Sequence, residues 1–246
     1  MSTDSVISSE TPEPSELHIS TKSQIAYLST SEINLNIFWD INIVPYLSEN
    51  EGIIKKQMKV ICNSETEANQ LVEKIHLLSA IETVDDQLIK FIPQSGRADF
   101  KMIRKVTIGQ SVKDFKPGKV KKKRAFCNCI VLIIRIKNNN TGNGTFREFN
   151  IKLFNTGKIE IPGIQLDTDF ERVMAILQKE IRKYIPDVQI CSEAESETIL
   201  INSNFSCNFN IERTKLHDIL ENKYELNAIY DPCCSYQGIQ CKFYYN

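Results

Sequence analysis

Apolar and polar positions alternate along this chain with two periods, and the switches between them mark its elements. Ile33, Leu35, Ile37 and Trp39 recur every second residue, which predicts a half-buried strand over Glu32–Trp39. A short helical turn is expected near Ile43–Ser48. Ser64-Glu65-Thr66-Glu67 has capping-box spacing and opens an amphipathic helix with Ala68, Leu71, Val72, Ile75 and Leu78 on one side. Residues 87–92 and 100–108 read as short strands around a loop punctuated by Gly and Pro. The densest strand signal covers Ala125–Lys137, Phe146–Phe154 and Lys158–Gly163, with turn residues at Asn138–Gly144 and a tight hairpin turn at Asn155-Thr156-Gly157.

The period then lengthens. Phe170, Val173, Met174, Leu177, Ile181 and Tyr184 form one apolar stripe, predicting a helix from Thr168 to Tyr184 capped by Asp167 and ended by Pro186. Beyond it come a strand (Glu197–Phe209), a helix (Ile211–Asn222), a short strand (Glu225–Tyr230) and a final strand (Gly238–Tyr245). Residues 1–22 are rich in Ser, Thr, Glu and Pro, and their low apolar content predicts disorder.

Part of this pattern occurs twice. Ile33-Asn34-Leu35-Asn36-Ile37 and Ile201-Asn202-Ser203-Asn204-Phe205 share Ile-Asn-x-Asn-apolar. Each is followed at one offset by Asn-Ile (Asn42-Ile43 and Asn210-Ile211), and then by an aromatic opening a strand, Phe126 or Tyr236. Internal duplication predicts a pseudosymmetric protein with two half-sites for one extended ligand. The first copy holds about 58 additional residues between these landmarks. The expected organisation is a tail (1–22), a first repeat (23–187) with a long insert at about 49–115 and a basic arm at 116–124, and a second repeat (188–246) incomplete at its C-terminal end.

Composition narrows the class. The 246 residues are 41% hydrophobic with a formal net charge of −1, as in ordinary globular proteins. No apolar run has the length of a membrane span, and no signal-peptide pattern opens the chain. The eight cysteines form no Cys-x-x-Cys zinc pattern, so reduced thiols in a nuclear or cytosolic setting are expected. Charge is unevenly spread: residues 101–124 carry ten Lys or Arg against one Asp. Such a block reads as a phosphate-facing arm, a nuclear-import address or a solvated loop; the loop leads on charge alone, and the aromatic strand that follows favours the nucleic-acid reading.

No catalytic constellation is present in the sequence. His18, His76 and His217 are scattered, and the chain lacks a Gly-rich phosphate loop, Gly-x-Ser-x-Gly and His-Glu-x-x-His. A non-enzyme is expected, with no cofactor, no metal and no small-molecule substrate. What remains is a set of aromatic, Asn, Lys and Arg residues on predicted strands. One sheet face displaying them suits a nucleic-acid groove, in which cations meet phosphates and aromatics wedge between bases. On pattern alone Phe126, Phe154 and Tyr236 read first as core packing residues, because strand aromatics are mostly core.

Three stretches carry a resemblance: Phe149-Asn150-Ile151-Lys152-Leu153-Phe154-Asn155-Thr156-Gly157-Lys158-Ile159-Glu160-Ile161-Pro162-Gly163, Ile199–Phe205, and Tyr230-Asp231-Pro232-Cys233. Together with the repeat, these residues resemble the TATA-binding protein family, and within it the divergent factors of large nucleocytoplasmic DNA viruses. The resemblance covers about Ile25–Asn246 outside the insert. It implies an α+β saddle: two helix-grip repeats forming one curved antiparallel sheet, with helices on the convex side and the concave face on the DNA minor groove. Paired aromatic wedges would kink the duplex.

By position, the resemblance implies that Phe126 and Phe154 are the first wedge pair and that Tyr236 is a wedge of the second repeat. Asn34 and Asn202 would be the central pair bonding to minor-groove acceptors. Arg124, Arg135, Lys158 and Lys242 match phosphate-holding cations, and Lys152 joins the DNA-facing set. Glu160 and Pro162 stand where the family presents small, apolar or hydroxyl side chains, with Lys152 or Lys158 as partners for the carboxylate. The implied function is a transcription-initiation factor on AT-rich promoter DNA, partnered by RNA polymerase and general transcription factors. Its expected place is the nucleus or a cytoplasmic viral factory, neither secreted nor in a membrane. The alternative is a saddle-fold interaction scaffold of a transcription complex without specific DNA binding.

Overall fold

The computed structural model describes residues 12–96, 98–116, 127–138, 145–190, 197–242 and 244. The chain is α+β and divides into two compact units, Ile19–Asn202 and a smaller one joining Met1–His18 to Ser203–Asn246. Strands β1 (His18–Tyr27), β2 (Gly52–Cys62), β3 (Val84–Ile92), β4 (Lys101–Gly109), β5 (Cys129–Lys137), β6 (Phe146–Phe154), β7 (Lys158–Ile164) and β8 (Glu197–Asn204) form one sheet. Its order is β3-β4-β2-β5-β6-β7-β1-β8. From β3 through to β1, every neighbouring pair runs antiparallel.

One face of this sheet is the core. On β5 the even positions Ile130, Leu132, Ile134 and Ile136 are fully buried, and on β6 and β7 so are Ile151, Leu153, Ile159 and Ile161. Helix α1 (Glu65–Ser79) adds Ala68, Leu71 and Ile75 to the same cluster, and α2 (Asp167–Ile181) adds Phe170, Val173, Met174, Leu177 and Ile181. Each such side chain removed from water contributes about 1.5–3 kcal/mol, so both helices are held by their stripes more than by helix propensity.

Local chemistry sets the ends. Ser64 Oγ accepts a hydrogen bond from the Glu67 N–H at 3.2 Å, as the capping-box spacing predicts, while the Glu67 carboxylate takes the N–H of Asn63. Asp167 is not the cap of α2: Leu166 occupies that position without a side-chain bond, and Asp167, one residue inside, pairs with Lys22 at 3.2 Å. The turn between β6 and β7 needs Gly157, whose φ is +78°. A Cβ there would stand 2.1 Å from the Thr30 carbonyl oxygen.

The strand expected over Glu32–Trp39 is instead a 3-10 turn, Leu35–Trp39. Asn34 Oδ1 accepts from the Asn36 N–H at 3.0 Å and starts the turn. The residues this bend buries are Ile33, Phe38 and Ile41, a spacing no strand could place on one face. The repeated motif therefore does not mark equivalent elements, because Ile201–Asn204 lies in β8, the sheet neighbour of β1. Residues 49–115, read as an insert, supply β2, α1, β3 and β4, and β2 lies between β4 and β5.

The smaller unit contains α3 (Arg213–Asn222) and an antiparallel pair, β9 (Asn227–Ile229) and β10 (Gln240–Lys242). Among its described residues Ala228 alone is buried.

Candidate nucleic-acid interface

Opposed residues of an antiparallel pair share a face, so the register of the large sheet fixes what its second face displays. One row across the strands holds Gln87 (β3), Lys105 (β4) and Lys59 (β2), then Cys129 (β5) opposite Phe154 (β6), and Lys158 (β7) opposite Tyr27 (β1). The adjacent row holds Asp85, Thr107, Gln57, Val131, Lys152, Glu160 and Ile25. Lys90 and Lys101 lie on the same face toward the β3 edge. Neighbouring strands stand about 4.8 Å apart, so the first row extends over roughly 29 Å.

Among the described residues of the larger unit, no α-helix covers this face; α1 and α2 pack with the opposite one. One end is covered by other means. The 3-10 turn Val112–Phe115 lies there, with Lys55 Nζ donating to Asp114 Oδ1 at 2.6 Å and the Val112 N–H to Glu148 at 2.9 Å. Tyr46 and Phe115 stack with ring centroids 5.0 Å apart. Burial alone would raise the Asp114 pKa, but hydrogen bonds from Lys55 and Ser111 outweigh it and hold the carboxyl below its ordinary value.

That covered end decides the fate of Arg135. Its guanidinium, on a residue only 3% exposed, donates to the carbonyls of Tyr46 at 2.6 Å, Asn50 at 2.8 Å, Pro45 at 3.2 Å and Ser48 at 2.5 Å. Burial lowers its pKa, although a guanidinium remains charged. Arg135 is thus the anchor of the Pro45–Asn50 loop, and the expectation that it holds phosphates is corrected. Asn34 is corrected likewise: it caps the 3-10 turn, and its side-chain oxygen is engaged there.

The sheet does bring together Lys152, Phe154 and Lys158. Lys152 Nζ donates to Glu160 Oε1 at 2.6 Å, so the unusual carboxylate is paired with one of its two expected partners. Lys158 Nζ sits 5.9 Å from the centroid of the partly buried Phe154 ring. Cys129, opposite Phe154 on the neighbouring strand, is buried, which pushes its thiol pKa up. Asn202 on β8 lies against β1, its amide donating to Thr21 Oγ1 at 2.8 Å. Tyr236, 65% exposed, and Lys242 belong to the smaller unit. Arg124, Phe126 and residues 117–124 of the basic arm lie outside the described residues.

Sequence reasoning missed Lys59, Lys90, Lys101 and Lys105. The signal was period two: Lys55-x-Gln57-x-Lys59 on β2 and Lys101-x-Ile103-x-Lys105 on β4. It was hidden on β2 by Lys56, which faces the core. Lys56 is 4% exposed; its ammonium donates to the carbonyls of Trp39 at 3.1 Å and Ile41 at 2.6 Å, and burial brings its pKa down to about 8.

Among the described residues no helix is long and apolar enough to cross a membrane, and no group of three or more His, Cys, Asp or Glu side chains is placed to hold a metal ion. Comparison with protein-family models, curated proteins and solved structures found no match to this chain.

Proposed function

We propose that this chain is a DNA-binding transcription-initiation factor that lays the second face of its large sheet on the minor groove of AT-rich promoter DNA. The observation that carries this reading is the row Lys105, Lys59, Phe154, Lys158, Tyr27, basic and aromatic residues on a face that no described α-helix of the larger unit covers. Cations in such a row neutralise phosphates, and the partly buried Phe154 and exposed Tyr27 rings supply apolar surface for unstacked base steps. The saddle architecture and the partnership with RNA polymerase and general transcription factors come from the resemblance in sequence.

The scaffold alternative is favoured by one feature, the edge strand β3 with its exposed Leu88, Ile89 and Phe91. An uncovered apolar edge is a surface for pairing with another chain. The two readings part on duplex binding. Titrating the Lys59→Ala/Lys105→Ala variant against an AT-rich duplex at several salt concentrations tests the first reading. A factor that uses this row loses affinity and salt sensitivity together, whereas a scaffold shows the same weak binding with or without the lysines.

A further inference from the structure

The middle of the second sheet face carries an ion pair where a purely phosphate-binding or AT-reading surface has no use for a carboxylate. Glu160 on β7 stands between Lys152 on β6 and Ile25 on β1. Its Oε1 accepts from Lys152 Nζ at 2.6 Å, and both side chains remain about a quarter exposed, at 24% and 26%. The residues on either side of the pair, Val131 opposite Lys152 and Ile25 opposite Glu160, are apolar. The pair is therefore a polar feature flanked by apolar neighbours, Ile25 being buried, and each of its two side chains is about a quarter exposed.

Minor-groove chemistry gives a carboxylate one use. A·T and T·A pairs present only acceptors there, the adenine N3 and thymine O2, and both repel a carboxylate. A G·C pair adds a single donor, the guanine 2-amino group, beside acceptors. A carboxylate is acceptor-only with several lone-pair directions, and an ammonium is donor-only with three hydrogens. Set side by side, Glu160 and Lys152 offer the complement of a G·C edge.

Building on the minor-groove reading above, we propose that Glu160 and Lys152 read one G·C pair within an otherwise AT-rich site. Glu160 accepts from the guanine 2-amino group, and Lys152 donates to an acceptor beside it. The pair would then give the sheet a point of sequence specificity that neither phosphate contacts nor aromatic wedges supply.

The test uses the full chain and AT-rich duplexes in which a single G·C pair is moved through the site. A matched set carries inosine in place of guanine, which removes the 2-amino group and leaves the pairing with cytosine. At one position the G·C duplex is expected to bind about tenfold more tightly than its inosine counterpart, the size of one buried charge-assisted hydrogen bond. Glu160→Ala should abolish that difference, read as the ratio of the guanine-duplex to the inosine-duplex affinity, whatever the freed Lys152 does to both. Glu160→Gln, which keeps a carbonyl acceptor, should retain part of it. Equal affinity for guanine and inosine duplexes at every position, with AT-rich binding intact, overturns this inference alone. Loss of all duplex binding in the wild-type chain overturns the minor-groove reading and the inference with it.

Discussion

Lys59 and Lys105 face each other directly across β2 and β4, two like charges on adjacent strands of the sheet face opposite α1 and α2. Like charges so placed destabilise a sheet by about 0.2–1 kcal/mol. Removing both with Lys59→Ala/Lys105→Ala should change the melting temperature by only a few degrees. The slope of log K against log salt for AT-rich duplex should flatten by about 1.8, the effect of two phosphate contacts at roughly 0.9 each. A drop in stability with an unchanged salt slope would return the pair to a purely structural role.

Phe154 makes the complementary case for the aromatic part of the row. It is partly buried beside Lys158, so Phe154→Ala should cost less than a core Phe, about 1–2 kcal/mol. Binding to AT-rich duplex and the accompanying bend should both diminish, read by gel retardation and by energy transfer between the duplex ends. A variant that unfolds while its remaining folded fraction binds normally would make Phe154 a packing residue.

Arg135 should behave in the opposite way. Its guanidinium satisfies the carbonyls of Pro45, Tyr46, Ser48 and Asn50 in a buried setting. Arg135→Ala strands those acceptors and should destabilise the protein by about 3 kcal/mol in urea unfolding. The salt slope of DNA binding should not change. A variant of full stability and lowered slope would restore the phosphate role that sequence position suggested.

Stability should also depend on pH through Lys56. Its folded-state pKa, about 8, lies below the ordinary 10.5, so between these values the unfolded chain binds more protons than the folded one. Stability therefore rises as pH climbs from about 8 toward 10.5, by at most about 3 kcal/mol at 1.36 kcal/mol per unit. Above pH 10 Tyr184, whose pKa is pushed up to about 12 by burial and by Glu180, bends the curve downward. Lys56→Met should remove the rise, and chemical unfolding at pH 8, 9 and 10 measures it. The raised thiol pKa values of buried Cys62 and Cys129 pull stability the other way from about pH 9, so the wild-type-minus-Lys56→Met difference is the readout. A difference flat over this window contradicts the buried, partly neutral lysine.

The elements most legible in the sequence were those whose pattern faces a single core. β5, β6 and β7 fall within a few residues of expectation because Ile130, Leu132, Ile134, Ile151, Leu153, Ile159 and Ile161 alternate without interruption. α2 was legible for the same reason at helical period. What failed had a residue on the unexpected side. Phe38, at a position the alternation of Ile33–Trp39 assigned to solvent, is fully buried and turns that stretch into a 3-10 bend. Lys56, a lysine facing the core, concealed β2 and with it the lysine row.

The site was legible only in part, because its geometry depends on partners distant in sequence. Lys152, Phe154 and Lys158 share one hairpin and came out together. Arg135 did not, since the carbonyls that bury it lie between 85 and 90 residues away along the chain. No local pattern carries that information. Lys59 and Lys105 are joined by register alone, which becomes visible once β2 and β4 are known to be neighbours.

The most direct test of the central claim is the binding of the full chain to a short AT-rich duplex and a GC-rich control, each end-labelled to report bending, over a range of salt. The account predicts preference for the AT-rich duplex, a bend on binding and an affinity that falls steeply as salt rises. Equal, weak binding to both duplexes without a bend would contradict it.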